Sequence, residues 1–443
     1  MESQQEKGVL YAGTDDGLLH ITKNGGASWQ NITPKNIPDG IINSIDISEH
    51  NPATAYIVVM RYKSMDLSSH IFKTEDYGKN WTKITNGLND PNGFARVVRA
   101  DKKTKGLLYA GTEVGLYIST DDGANWQSLK LNLPVVPIND LIIQDNDLVA
   151  ATSGLGFWIL DDLSALQQAS TTIAELQLFT PKDTYRIFGG TSKAIGQGQN
   201  PKSGVSLDYY LPEDVDSLDL KLEILQNNKV IRTYTNQKPK GFKSWPGGPS
   251  APQVLSSKKG FNRFTWDFAR ESLPSIDKVF VLGGLNGSSV SPGTYVAKLS
   301  LGEGSSEVLV TVLQNPAIEA TSSDFVEQQK LLQDIEDTVK EIHESVNSLR
   351  SVKVQLKAYE KLLEGNTDAK DLLETGEGLL KRIGAWEENL IQPKQKTFQD
   401  VINFNNKLNA QLINLAGYID QADPKVTTGA KTLLADFCLL YTS

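Results

Sequence analysis

Along the N-terminal part of the chain, apolar residues come in short runs broken by glycine-rich or polar turns. Val9–Thr22, Leu107–Ser119 and Asp147–Leu160 are copies of one pattern, two β-rich runs around a small loop. Ala55–Met60 followed by His70–Thr74 repeats it with a longer loop. Alternation with period two, bounded by turn residues, predicts hairpins.

Three copies run into the same turn: Thr22–Trp29, Thr74–Trp81 and Ser119–Trp126. All fit Ser/Thr-x-Asp/Asn-x-Gly-x-Ser/Asn-Trp, the Asp-box pattern of β-propeller blades. Its structural positions here are Thr22, Asn24, Gly26 and Trp29, then Thr74, Asp76, Gly78 and Trp81, then Ser119, Asp121, Gly123 and Trp126. Asp or Asn caps backbone N–H groups of its own turn. Gly supplies a backbone angle that other residues resist, and Trp closes the turn as an apolar plug. The tryptophans lie 52 residues apart (29 to 81) and then 45 (81 to 126). Blade-sized repeats run to about 40–50 residues, so residues 1–168 are expected to form about three blades and a closing hairpin. That is too few for a ring, since propellers have 4–8 blades. Further blades are expected upstream.

The pattern breaks over residues 169–200, read as a linker. Alternating strands follow at Val205–Leu211, Leu218–Leu225, Val230–Tyr234, Phe261–Phe268, Gly293–Leu301 and Glu307–Leu313. Six short strands suggest a β-sandwich of fibronectin or immunoglobulin type over 201–316. Residues 317–437 then read as helix. Asp324 and Glu327 resemble a capping box, and Leu332, Ile335, Val339, Ile342, Val346 and Leu349 form an apolar seam. Further helical stretches are expected at Val352–Leu363, Lys370–Ile391 and Phe398–Gln421, with breaks at Pro393 and Pro424. The predicted class is mainly β with an α C-terminal region: partial propeller, sandwich, then helical hairpin or bundle.

Composition narrows function more than fold. The 39% hydrophobic and 22% charged content reads as globular. No apolar run is long enough for a membrane helix. A net charge of −9 argues against a nucleic-acid partner. Cys438 is the only cysteine, which excludes a disulfide framework. Cys438–Ser443 matches the translated end of a sequencing adapter and is expected to be a scar. Met1–Lys7 shows neither a basic nor an apolar leader region, so no signal peptide is visible here.

The box acids Asp76 and Asp121 recur in every blade, which marks a folding device. Glycosidase chemistry needs one specific carboxyl pair. Asp15, Asp16 and Glu113 lie in the loop inside the repeated hairpin and are candidate ligand contacts, as are Asp161 and Asp162. Trp158 is a candidate for stacking on sugar or peptide, against a bland reading as a core aromatic. The histidines at 20, 50, 70 and 343 are scattered without metal-ligand spacing and read as surface or strand residues. No nucleotide, metalloprotease or hydrolase motif occurs, and no metal or cofactor is expected.

Tyr11–Gly17, Tyr109–Gly115 with Ser119–Trp126, and Gly156–Asp162 resemble the C-terminal part of a bacterial family. Its members carry neuraminidase-type Asp-box repeats and sortilin-like domains, and many are labelled glycosyl hydrolases. Thr184–Ile187, Asn262–Asp267 and Pro292–Tyr295 extend the resemblance. It implies a large exported protein, secreted or periplasmic, with one or two propellers before the sandwich. Ala151–Gly156 replaces the family's Thr-His-Gly-Arg-Gly pattern, and no catalytic residue carries over. The leading expectation is a fragment that binds protein or glycan through propeller loops. The alternatives are a polysaccharide hydrolase with its acids in upstream blades, and an envelope assembly factor.

Overall fold

A computed structural model describes residues 1–442 apart from 36, 38, 170–174 and 190–197. Two compact units result, Met1–Ile173 and Ala174–Ser443. Most of the described elements are β-strands, with helices towards the C-terminus.

Unit 1 contains four antiparallel sheets in chain order. The first comprises β1 (Leu10–Gly13), β2 (Leu19–Thr22) and β3 (Gln30–Asn31). The second has β4 (Ile41–Ile47), β5 (Ala55–Met60), β6 (Ile71–Thr74) and β7 (Thr82–Lys83). The third has β8 (Ala95–Ala100), β9 (Leu108–Thr112), β10 (Gly115–Ser119) and β11 (Gln127–Ser128). The fourth has β12 (Ile138–Gln144), β13 (Asp147–Thr152) and β14 (Phe157–Leu160). A short helix, α1 (Ser164–Gln168), follows. The expected closing hairpin is thus the outer part of a three-stranded sheet, because Ile138–Gln144 pairs along β13.

Every strand alternates, so each sheet has two faces. One face of sheet 1 (Tyr11, Leu19, Ile21) packs on Ile42, Ile47, Ile57 and Phe72 of sheet 2. Tyr56, Val58 and Ile71 of sheet 2 pack on Ala95, Val98, Leu108 and Ala110 of sheet 3. Tyr109, Leu116 and Ile118 of sheet 3 pack on Ile138, Leu141, Leu148 and Ala150 of sheet 4. The glycines of the Tyr-Ala-Gly-Thr repeat make this approach possible. A Cβ on Gly13 would lie 2.4 Å from Ile42, and one on Gly111 would lie 2.6 Å from Ile138.

Unit 2 has two sheets around one core. β15 (Gln177–Leu178), β17 (Val205–Leu211) and β20 (Gly260–Trp266) form one. β16 (Thr184–Tyr185), β22 (Gly304–Leu313), β21 (Gly293–Leu301), β18 (Leu220–Gln226) and β19 (Lys229–Thr235) form the other. Leu207, Tyr209 and Trp266 face Leu222, Ala297 and Val310 across that core. Part of the expected linker therefore belongs to the sheets: β15 pairs with β17, and β16 runs parallel to β22. Phe179 and Arg186 beside these strands are buried. Residues 170–174 and 190–197 of that linker lie outside the described residues.

The helices are α2 (Ser322–Leu363), α3 (Lys370–Leu390), α4 (Leu408–Ile419) and α5 (Thr428–Thr442). α2 is one unbroken helix where two stretches were expected, since no Gly or Pro interrupts Leu349–Val354. Its capping box is Thr321 with Asp324, because the first helical residue is Ser322 and the third is Asp324. Glu327 instead pairs with Lys431 at 2.5 Å. The expected fourth stretch is a short 3₁₀ turn at Phe398–Ile402 followed by α4. Exposed Cys438 lies in α5. The seam residues from Leu332 to Val346 are buried against Leu408, Leu412, Leu415 and Ile276.

Polar clips fasten the helices to their surroundings. His343, fully buried on α2, contacts the Pro274 carbonyl through Nδ1 at 2.6 Å and Asn409 through Nε2 at 3.0 Å. The surface or strand reading of His343 is therefore corrected. Glu336 accepts the Ser288 N–H at 2.6 Å, and Asp420 accepts that of Ser289 at 2.9 Å. No described helix is long and apolar enough to cross a membrane.

Candidate functional site

The three box turns share one hydrogen-bond scheme. The first-position hydroxyl accepts the fifth-position N–H, at 3.0 Å from Gly26, 2.9 Å from Gly78 and 2.9 Å from Gly123. The same hydroxyl meets the third-position Asn24, Asp76 or Asp121 at 2.8–2.9 Å. That residue accepts the seventh-position N–H, from Ser28, Asn80 or Asn125. Two consecutive residues have positive φ: Gly25 and Gly26, Tyr77 and Gly78, Asp122 and Gly123. That pairing defines a type I′ turn. Partial burial draws the Asp76 carboxyl upward, but bonds from Asn80 and Thr74 outweigh it, and the group lies below its ordinary value. Asp121 is lowered in the same way, by Asn125 and Ser119 against partial burial.

The second and third turns also dock on the sheet before them. Trp81 Nε1 donates to the Ile32 carbonyl at 3.1 Å, and Trp126 Nε1 to the Ile84 carbonyl at 2.9 Å. Ile32 and Ile84 fill the space over Gly78 and Gly123, where a Cβ would come within 2.5 Å. Trp29 is 46% exposed, against 5% for Trp126.

Turns alternate between the two ends of a meander. The loops joining second and third strands lie at the end opposite the boxes. Asp15, Asp16 and Glu113 occupy that end. Asp15 and Asp16 are exposed, and Asp16 bonds Thr14. Glu113 is tied to Arg96 in an ion pair. Asp161 and Asp162 follow a third strand, so they lie at the box end, apart from the other three. Asp162 is buried with φ 60°; its N–H donates to Asp147 at 2.8 Å and its carboxylate accepts the Ser164 N–H at 3.0 Å. Asp161 is half-buried beside it. Trp158 is half-buried against the core between sheets 3 and 4.

The loop end holds one cluster that sequence reading passed over. In the loop between β5 and β6, Asp66 meets Arg61, the Ser68 hydroxyl at 2.5 Å and His70 Nε2 at 2.9 Å. The Ser68 hydroxyl, with Arg61 and His70, holds the Asp66 carboxyl well below the usual carboxylate range, against some burial. Burial pushes the His70 imidazole down, and Asp66 pulls it back only in part. Ser68 Oγ also lies 3.2 Å from His70 Nε2. Serine and aspartate thus address the same nitrogen. A hydrolase triad needs them on opposite nitrogens, so this is a loop clamp. The alternation Asp66-x-Ser68-x-His70 was its only trace in the sequence. Beside it Tyr62 stacks on Phe94 at 5.7 Å, while Met65 is 88% exposed.

In unit 2 a cleft of about 460 Å³ is lined by Lys240, Phe242, Lys243, Trp245, Asp277 and Asn347, among others. Among the described residues no group of His, Cys, Asp or Glu could hold a metal ion.

No protein-family model matches the chain. No curated protein matches it either. Among solved structures, YCF48 bound to D1 peptide shares 16% identity, over 68% of this chain and 76% of that one, with a TM-score of 0.28. An ancestral GH74 enzyme shares 12%, over 68% and 46%, at 0.28. The GH74 enzyme of Niastella koreensis shares 13%, over 70% and 44%, at 0.30. The chain spans less than half the length of either GH74 enzyme. Likeness of this degree fixes neither fold nor activity.

Proposed function

We propose that the sheets of unit 1 are consecutive blades of a β-propeller and that unit 2 carries a fibronectin- or immunoglobulin-type sandwich. The chain belongs to an exported Asp-box protein that binds a protein or glycan ligand through the loop end of its blades. The observation that carries this reading is the division of labour between the two ends. The box end is consumed by turn and docking contacts. The loop end presents Tyr62, Met65, Asp15 and Asp16 on a scaffold stiffened by the Arg61–Asp66 and Arg96–Glu113 ion pairs. Function placed on loops over a rigid scaffold is the common arrangement.

Binding is favoured over hydrolysis by the state of the box acids and of Glu113. A glycosidase general acid needs a raised pKa. Asp76 and Asp121 are lowered, and Glu113 is committed to Arg96. The whole chain should therefore retain ligands on glycan and peptide arrays. Tyr62→Ala and Asp16→Asn should each weaken retention roughly tenfold, the order expected of an interface anchor. Release of reducing sugar from polysaccharides, abolished by Asp15→Asn or Glu113→Gln, would overturn the reading.

A further inference from the structure

The cleft in unit 2 lies between two segments, residues 239–249 and 275–277, with Asn347 of α2 beside the second. All of them belong to unit 2, and so do the contacts that hold them in place. Trp245 Nε1 donates to the Val279 carbonyl at 2.8 Å, and the Val281 N–H donates to the Gly247 carbonyl at 3.1 Å. Gly247, with φ 67°, lies against Phe280, where a Cβ would come within 2.4 Å. On the other wall Asn347 Nδ2 donates to the Ser275 carbonyl at 2.9 Å, and Arg350 Nη1 to the Asp277 carbonyl at 3.0 Å. Walls fixed in this way need little reordering to bind a ligand.

The groups that these bonds leave over are of three kinds. Lys240 and Lys243 bring two ammoniums, neither paired with a carboxylate among the described residues. The Asp277 carboxylate and Asn347 Oδ1 are acceptors, because those residues use a backbone carbonyl and Nδ2 in the bonds above. Phe242 and Trp245 are half-buried aromatics, whose electron-rich faces attract C–H groups. A matching ligand supplies an anion for the lysines, hydroxyl donors for Asp277 and Asn347, and ring C–H groups for the aromatics. A uronic-acid sugar carries all three on one ring. An acidic peptide satisfies the lysines, but its side chains offer Asp277 further carboxylates in place of hydroxyls.

We propose that this cleft binds an oligosaccharide of uronic acids, with carboxylates at Lys240 and Lys243, hydroxyls at Asp277 and Asn347, and a sugar ring against Phe242. Its volume of about 460 Å³ falls within the ~300–1,000 Å³ of ligand pockets. The site shares no residue with the loop end of unit 1 and does not rest on the binding proposed there.

Calorimetric titration of the whole chain with oligogalacturonate should show saturable binding that weakens as salt is added. The methyl-esterified oligomer keeps the rings and hydroxyls but loses the charge, and should bind roughly tenfold more weakly. Lys240→Ala combined with Lys243→Ala should lose roughly the same factor. Phe242→Ala leaves every charge in place and should also weaken binding roughly tenfold, which simple charge attraction would not produce. Tyr62→Ala should leave the titration unchanged. Failure of both oligogalacturonate and oligoglucuronate to bind overturns the proposal. So does equal binding of acid and ester, or binding that survives the lysine or Phe242 variants. Polyglutamate bound as tightly as oligogalacturonate overturns it in favour of an acidic peptide, and a loss caused by Tyr62→Ala overturns it by moving the saccharide to unit 1.

Discussion

In unit 1 the Thr74 hydroxyl reaches two residues along to Asp76 and four to Gly78. In unit 2 Arg186 reaches Asp420, and Gln328 reaches the Ile419 carbonyl. The first pattern is written three times and each copy is closed within one turn. The second is written once and joins segments far apart in sequence. A local motif tolerates repetition because every copy carries its own partners. A distant clip depends on every intervening element being in place.

Within unit 1, the three boxes offer the sharpest contrast, because only two dock on a preceding sheet. Trp126→Ala should cost about 3–5 kcal/mol, the range for a buried aromatic. Trp29→Ala should cost less than about 1 kcal/mol, being a surface truncation. Urea titrations of both variants check this; equal losses would mean that the docking contact contributes nothing.

The glycines give a smaller version of the contrast. Gly123→Ala must accept both a φ of 87° and a methyl 2.5 Å from Ile84, about 2–4 kcal/mol together. Gly26→Ala has the same kind of φ but only Trp29 Nε1, 3.8 Å away, so strain of about 1 kcal/mol is expected alone. Melting temperatures should rank Gly26→Ala above Gly123→Ala.

In unit 2, Asn409→Ala strands the buried His343 Nε2 and should cost about 1–3 kcal/mol. The cost should fall on the helical region, seen as faster amide exchange along α2 and α4 with the sheets unaffected. Uniform loss across unit 2 would show that helices and sheets unfold as one.

The smallest effect is a difference in pH response. Burial raises the Asp46 carboxyl to about 6, against a bond from the Ala100 N–H. Folded unit 1 holds that proton more tightly than the unfolded chain, so this group adds stability as pH falls from about 6 towards 4. Burial lowers the His343 imidazole. The unfolded chain takes that proton first, so its contribution is complete above about pH 6.5 and is lost below it. Acidification should therefore affect the two units oppositely at these groups. Asp46→Asn and His343→Gln, each compared with wild type across that window, isolate the two signs; the same sign in both would refute it.

The boxes were legible because Thr74, Asp76 and Gly78 satisfy one another within a few residues, so spacing carries the structure. The strands from Val205 to Leu313 were legible for the same reason, through alternation. Which tryptophan is buried was not legible, since that depends on whether an isoleucine of another sheet arrives. The strand at Ile138–Gln144 was missed because its pairing partner, not its own composition, defines it. Capping at Thr321 required knowing where the helix starts. The burial of His343 required α4 and the Pro274 loop to meet it. The Asp66 clamp was hidden because a single Asp-x-Ser-x-His alternation has no meaning until the loop folds back.

The fourth position of each box differs from copy to copy: Gly25, Tyr77 and Asp122, all with positive φ. Tyr77 bonds Glu6 at 2.7 Å and carries Lys23 over its ring, whereas Asp122 bonds Tyr56 and Lys73 at 2.6 Å each. Sheets so alike in sequence risk assembling in the wrong order while the chain folds, a recognised hazard of repetitive proteins. Asp122 set against Glu6 would place two carboxylates together, with no bond of either kind. This one variable corner therefore gives each of these near-identical pieces a contact of its own with its neighbour.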